Sequence, residues 1–270
     1  MKLSNILSRR NRILLRELVV TDFKLRYQGS VLGYMWSLLK PLMLFAILYT
    51  VFIHFLRFGQ SDDHFAVQLL LGIVMWTFFV EATGQGLTTI VGHGDLIRKI
   101  NFPKYILVIS GTISALINLT LNLLVVLVFI LINGVNLKWS ALLFPLNVLE
   151  LYIFALAIAF LLSALYVKFR DISHIWEVFM QGLFYATPII YPLSMVLAVS
   201  ESAAKILVLN PIAQVIQGAR NNLISHTAIT TESLVNNPVL SLVPHLIIAV
   251  TVVIAVFYFK NQQKYFAENV

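Results

Sequence analysis

The 270-residue sequence contains no cysteine, which excludes disulfides, thiolate metal sites and cysteine nucleophiles. Charge is scarce: only 11% of residues are Asp, Glu, Lys or Arg, against about 25% in an ordinary soluble domain. No G-x-x-x-x-G-K-[ST] phosphate loop occurs. The nearest phrase, GQGLTT at Gly84–Thr89, lacks the lysine and lies inside an apolar run. An H-E-x-x-H zinc motif and a G-x-S-x-G nucleophile elbow are missing too. The histidines, His54, His64, His93, His174, His226 and His245, show no ligand spacing. No catalytic constellation is visible, so active transport by such a chain would draw its energy from a partner or an ion gradient.

What is present is apolar: 59% of residues are hydrophobic. About 20 apolar residues carry a helix across a bilayer core of about 30 Å. Six stretches qualify, Leu32–Leu56, Phe65–Val91, Tyr105–Ile132, Ala141–Val167, Ile175–Tyr191 and Leu240–Phe259. They predict an all-α integral membrane protein with six transmembrane helices. The net charge of +7 sits in short segments beside these runs. That distribution reads as membrane orientation, not nucleic-acid binding. Lys2, Arg9, Arg10, Arg12, Arg16, Lys24 and Arg26, then Arg98, Lys99 and Lys104, then Lys168 and Arg170, then Lys260 and Lys264 all fall on one side of six spans. Arg57, Lys138, Lys205 and Arg220 fall on the other. The positive-inside rule therefore puts both termini in the cytoplasm of a multi-pass plasma (inner) membrane protein. The expected organisation is a cytoplasmic N-terminus with an amphipathic helix (1–31), a permease domain (32–260) and a cytoplasmic tail (261–270). The first 31 residues are basic and show no small-residue cleavage site, so no cleavable signal peptide is expected.

Three segments are not spans. Over Ile13–Tyr27, Leu15, Val19, Phe23 and Tyr27 recur every four residues, with Arg12, Arg16, Lys24 and Arg26 supplying a polar side. This suits a helix lying in the headgroup region or packed on another subunit. Asp22 can pair with Arg26 one turn on. Gly29 and Gly33 then permit a sharp turn into the first span. Gly92–Lys104 reads GHGDLIRKINFPK: Asp95 is a candidate N-cap, Leu96, Ile97 and Ile100 form a short apolar face, and Pro103 ends the segment. It is either an ordinary basic loop or a docking surface for a cytosolic partner. Pro192–Val239 is too long for a plain external loop. Its apolar pieces, Ala203–Leu209 and Ile212–Ile216, break at Asn210-Pro211. Re-entrant half-helices at an outer mouth and a cap of surface helices both fit.

Ionisable groups inside spans are functional candidates by default. Lys40 and Glu81 lie at similar depths and could face inward as a pair, or Lys40 could snorkel to the headgroups. Glu150 needs a polar partner or a watery cavity, whereas Glu177 lies near enough to the interface to be solvated. Trp36, Trp76, Trp139 and Trp176 read mostly as interface anchors. Tyr34, Tyr49, Phe78, Phe79, Tyr152, Phe154 and Tyr185 could line a pathway for sugar rings or simply pack.

Four phrases carry a family resemblance. Arg16–Phe52 contains Arg26-Tyr27, Leu32-Gly33, Trp36 and Pro41-Leu42 in the order seen at the start of type-2 ABC exporter permeases. It is most similar to the O-antigen, capsule and teichoic acid export group. LIRKINFPK at Leu96–Lys104 resembles that group's coupling segment. VKFRDI at Val167–Ile172 resembles its cytoplasmic arginine-aspartate turn. ATPIIYP and LNPIAQVIQGAR, at Ala186–Pro192 and Leu209–Arg220, resemble its outer gate. The resemblance implies a permease that is not itself an enzyme. It would work with a second copy of itself and two cytosolic ATP-binding subunits, which would hold ATP and Mg; no cofactor is expected on this chain. The substrate would be a lipid-linked polysaccharide. Asp95, Leu96, Ile97, Arg98, Lys99, Ile100, Phe102 and Pro103, together with Arg16, Asp22, Phe23, Arg26 and Tyr27, would meet the ATPase. Arg26, Arg98 and Lys99 could also contact a diphosphate headgroup. Pro188, Tyr191, Asn210, Pro211 and Arg220 would form the outer gate. Two other classes compete. An ion-coupled transporter would use Lys40, Glu81 and Glu150 as a relay. A membrane transferase for lipid-linked sugars would need exposed acid groups, of which Asp62-Asp63 is the only close external pair.

Overall fold

The computed structural model describes residues 9–58, 64–225, 228–235 and 237–269, without the side chains of Phe23, Arg26, Tyr27 and Asn269. The side-chain roles expected of Phe23, Arg26 and Tyr27, and the acidic pair Asp62-Asp63, lie outside the described residues.

The described residues form helices joined by turns. Helix α1 spans Arg9–Tyr27 and α2 spans Met35–Leu48, continuing as a π-helix over Tyr49–Phe55. Gly29 and Gly33, both at positive φ (76° and 50°), make the turn between them, where a Cβ would be strained. Then follow α3 (Phe65–Gly92), the short α4 (Gly94–Lys99), α5 (Tyr105–Ile132), a 3-10 turn at Trp139–Leu143, α6 (Phe144–Lys168) and α7 (Ile172–Tyr185). Three helices make up the connection beyond α7: α8 (Leu193–Val199), α9 (Glu201–Val208) and α10 (Pro211–Leu223). Single turns α11 (Thr231–Leu234) and α12 (Pro238–Ser241) lead into α13 (Val243–Gln262), and α14 (Phe266–Asn269) ends the chain.

Five helical segments among the described residues are long and apolar enough to cross a membrane: Met35–Phe55, Phe65–Gly92, Tyr105–Ile132, Trp139–Lys168 and Val243–Gln262. The stretch expected as the fifth span, Ile175–Tyr191, differs. Its helix starts three residues earlier and stops at Tyr185, giving about 21 Å of helix at 1.5 Å per residue, short of a bilayer core. Pro188 has no N–H to continue an α-helical ladder, so the chain runs on as turns to Pro192. The last span is shifted three residues toward the C-terminus, because Pro244 takes a first-turn position, where its missing N–H costs nothing.

Helix α3 is the centre of the bundle. It packs against α2, α5, α6, α7 and α10, and most of its residues are buried, as those of a helix surrounded by protein should be. The α3–α6 contact is the closest: a Cβ placed on Gly86 would lie 2.3 Å from the Ala159 Cβ. Such small-residue contacts let helix backbones approach where lipid supplies no hydrophobic drive for association. Helix α13 packs on α6. A second apolar cluster gathers Leu18 of α1, Ile90, Ile97, Tyr105, Val167, Phe259 and Phe266. It defines one end of the bundle, called here the basal end. A smaller cluster of Leu193, Ala204, Val208 and Val235 holds α8 and α9 together.

Candidate functional site

At the basal end, α1 lies against α5. It buries Asn11 and Leu18, with Leu14 and Leu15 half-buried beside them, and leaves Arg12 and Arg16 exposed. Helix α4 follows α3 after a single residue, His93. Asp95 sits in its first turn, not at the cap position, which His93 holds. The expected apolar face is divided. Ile97 and Phe102 turn into the bundle, while Ile100 stands 47% exposed with Asp95, Arg98 and Lys99. The reason is local: the helix ends at Lys99, and Ile100 is extended (φ −128°, ψ 132°), so its side chain leaves the helical face. Pro103 is half-buried, and Lys104 lies 5.6 Å from the Phe102 ring centroid.

The described partner of Asp22 is a residue that periodicity did not flag. His93 Nε2 lies 3.6 Å from Asp22 Oδ1, and His93 Nδ1 lies 2.8 Å from the Thr89 carbonyl oxygen. Both ring nitrogens face acceptors, so the imidazolium, with two N–H donors, satisfies both. Hydrogen bonding to Asp22 is the main reason that the His93 pKa is raised above 6.5. The pair joins α1 to the junction of α3 and α4.

The other intramembrane charges fall into two separate places. Lys40 and Glu81 line one cleft of about 620 Å³ with Trp36, Ser37 and Asn118. Lys40 is exposed in the single chain, and among the described residues no ion pair joins it to Glu81. Glu81 Oε1 instead accepts from Gln85 Nε2 at 2.9 Å and Asn118 Nδ2 at 2.6 Å. Glu150 pairs with His245 of α13, Oε1 to Nε2, at 3.3 Å. No hydrogen bond or ion pair among the described residues links the two places.

The aromatic residues divide by helix. Phe78, Phe79 and Phe154 are buried and stack within the core, Phe78 on Tyr152 at 6.5 Å and Phe79 on Phe154 at 5.5 Å between centroids. A ring enclosed in this way lines no open path in the chain. Tyr34, Tyr49 and Tyr185 are exposed. The most aromatic groove, about 600 Å³, runs between α2, α3 and α7 and is lined by Trp76, Trp176, Glu177, Gln181, Phe184 and Tyr185. Trp176 Nε1 donates to Thr83 Oγ1 at 3.3 Å, and its ring stacks on Phe179 at 5.5 Å. Trp76 is a core residue at 7% exposure, not an interface anchor. The recurrence of Trp176, Met180 and Phe184 every four residues was the available sequence signal for this groove.

Of the residues expected at an outer gate, Arg220 and Pro188 meet directly. The Arg220 side chain is 1% exposed. Its Nη1 donates to the Pro188 carbonyl at 2.7 Å and to Gln217 Oε1 at 3.3 Å. Its Nη2 donates to the Ile189 carbonyl at 3.0 Å, and its Nε to the Gln68 carbonyl at 3.2 Å. Gly72 provides the space: a Cβ there would sit 2.9 Å from Arg220 Nη2. Asn210 accepts from Ile212 N at 3.0 Å as the α10 N-cap and donates to Thr187 Oγ1 at 3.1 Å. Pro211 takes the first-turn position and is buried. Tyr191 reaches back, its hydroxyl donating to the Tyr185 carbonyl at 2.8 Å.

A helical bundle with span-length apolar helices and basic amphipathic elements at one end belongs to the class of multi-pass membrane proteins. The comparison with known sequences makes this specific. Residues 13–224 match the family described as ABC-2 type transporter, and the chain belongs to that family. It is 35% identical over 204 residues to the O-antigen export system permease protein RfbA of Myxococcus xanthus, covering 74% of this chain and 76% of that protein. It is 29% identical over 202 residues to the protein of the same name from Klebsiella pneumoniae, again covering 74% and 76%.

Two outcomes follow from the geometry. Replacing Arg220 by alanine leaves buried carbonyls unpaired, at about 1–3 kcal/mol each. The R220A protein should therefore melt well below wild type in detergent, with R220K intermediate because lysine lacks the planar fork; equal melting of R220A and wild type would contradict the role given to the guanidinium. The His93 contribution has a definite sign. A raised folded pKa gives stability that is full below 6.5 and lost as pH rises through the raised value. Thermal melts across that interval should show a pH-dependent step that H93Q removes.

Proposed function

We propose that the chain is the membrane-spanning permease of an ATP-driven exporter that moves a lipid-linked polysaccharide of the O-antigen type, or a related capsule-like or teichoic polymer, from the cytoplasmic to the outer side of the plasma membrane. Two copies would enclose the path, and two cytosolic subunits would bind ATP and Mg. The observation that carries this reading is the joint match to the ABC-2 family and to the RfbA permeases over about three quarters of the chain. The basal platform supports it. The basic elements α1 and α4 collect at one end, where Arg98 and Lys99 of α4 and the following Ile100 are exposed.

In this reading the basal end is cytoplasmic, in keeping with the positive-inside rule, and both termini lie there. Val167 at the end of α6 and Phe259 near the end of α13 both belong to the basal cluster, which supports one more crossing by the chain between them. We assign that sixth crossing to α7 and the turns that follow it, with α10 as a re-entrant half-helix. The groove of Trp176, Phe184 and Tyr185, backed by buried Trp76, is the surface we assign to sugar rings, whose C–H faces stack on aromatics. ATP-driven closure of the motor would displace α1 and α4 and bias the permease between inward- and outward-facing states.

Purification of the tagged chain with its native partners tests this directly. An ATPase carrying a phosphate loop should accompany it. Polar replacement of exposed Ile100 together with Arg98→Gln and Lys99→Gln, sparing Leu96 and Ile97, which pack into the basal cluster, should lower ATPase recovery about tenfold, as loss of an interface hot spot does. Absence of any ATPase beside the unaltered chain would overturn the reading.

A further inference from the structure

We infer that the C-terminal tail belongs to the coupling apparatus: Phe266 fastens α4 to the last span and to α6, so that a push on α4 reaches α13 as well as α3 and α5. This rests on the exporter reading for the identity of what pushes.

The tail looks dispensable in the sequence, because it follows the last apolar run and is largely polar. Its path shows otherwise. After α13 the chain reverses through residues 263–265, where Gln263 N donates to the Phe259 carbonyl and Tyr265 N to the Gln262 carbonyl, each at 2.9 Å. The turn brings α14 against both α4 and α6. Phe266 is 1% exposed and ranks among the largest fully buried side chains, while its neighbour Tyr265 is 52% exposed. Solubility of a tail does not require such selective burial. The ring meets Phe259 of α13 edge-on at 5.4 Å, and Phe259 meets Phe160 of α6 edge-on at 4.9 Å. Ile97, the buried residue of α4, belongs to the same apolar cluster.

The connectivity explains why such a fastening matters. Helix α4 is joined covalently to α3 through His93 and to α5 through residues 100–104 only. Helix α14, which packs on both α4 and α6, adds a route from α4 to α6 and α13 beside those through α3 and α5. With it, Ile97 of α4 shares one apolar cluster with the Phe266–Phe259–Phe160 ring contacts of α14, α13 and α6, and interiors packed in this way transmit displacement instead of absorbing it. Ordering the tail costs chain entropy, so the contact is one that a change in α4 can loosen.

The test uses the assembled exporter with Phe266→Ala, Phe266→Leu and a chain ending after Tyr265. Recovery of complex, ATP turnover and polymer exported per ATP are measured together. With F266A we expect a complex that assembles and hydrolyses ATP while export per ATP falls about threefold or more, within the range for residues that carry coupling between sites. The truncated chain should behave likewise, and F266L, which keeps apolar volume, should restore most of the loss. Unchanged export per ATP in F266A would overturn the inference. So would a loss of export that merely tracks the amount of complex recovered, since that is a stability effect. A wild-type preparation without any ATPase would instead overturn the exporter reading, and the tail's role with it.

Discussion

A bilayer offers no water to a backbone carbonyl, and non-helical chain at membrane depth survives only where protein satisfies it. The guanidinium of Arg220 meets that constraint at the one place where the described bundle most needs it. The turns after α7 free carbonyls that no helix reclaims, and Arg220 takes those of Pro188 and Ile189 while also holding Gln68 at the start of α3. Much of the surrounding geometry follows. Gly72 must lack a side chain, α10 must be seated against α3, and Asn210 must reach Thr187. Asn222 on the far side of α10 donates to Asn147 of α6 at 2.8 Å. A break that would be untenable in lipid becomes a braced corner.

The opposite end is built on a different principle. Apolar residues from the elements that reach it, including the short α4 and α14, converge on one cluster, and charge is displayed outward from it. The Asp22–His93 contact ties the surface helix to the hinge between α3 and α4. One end is thus held by directional hydrogen bonds around a fixed corner. The other is held by apolar packing around one cluster.

Periodicity and length reported much of this. The long apolar runs became helices near their expected limits. Gly29 and Gly33 made the expected turn, and Asn210-Pro211 divided the connection into α9 and α10. The fifth run was misjudged because apolar residues continue past Tyr185 while the helix does not; Pro188 was the available warning. Phe78, Phe79 and Phe154 fitted either lining or packing in the sequence; in the chain they are buried, where α3 and α6 pack on each other, because a large ring is as useful to a core as to a pathway. The partners of Asp22, Glu150 and Arg220 lie 71, 95 and up to 152 residues away in the chain. No local pattern reveals contacts of that separation. Phe266 escaped notice for the same reason: a single aromatic in a polar tail has no period.

The central claim is that this chain supplies the path while another supplies the force. It is tested most directly in sealed vesicles carrying the assembled exporter with the α1–α4 face outward, by following polymer that becomes protected inside. The account requires that protection depend on Mg-ATP added outside and persist when a proton ionophore collapses every pH gradient. Protection that needs no ATP and stops with the ionophore would contradict it.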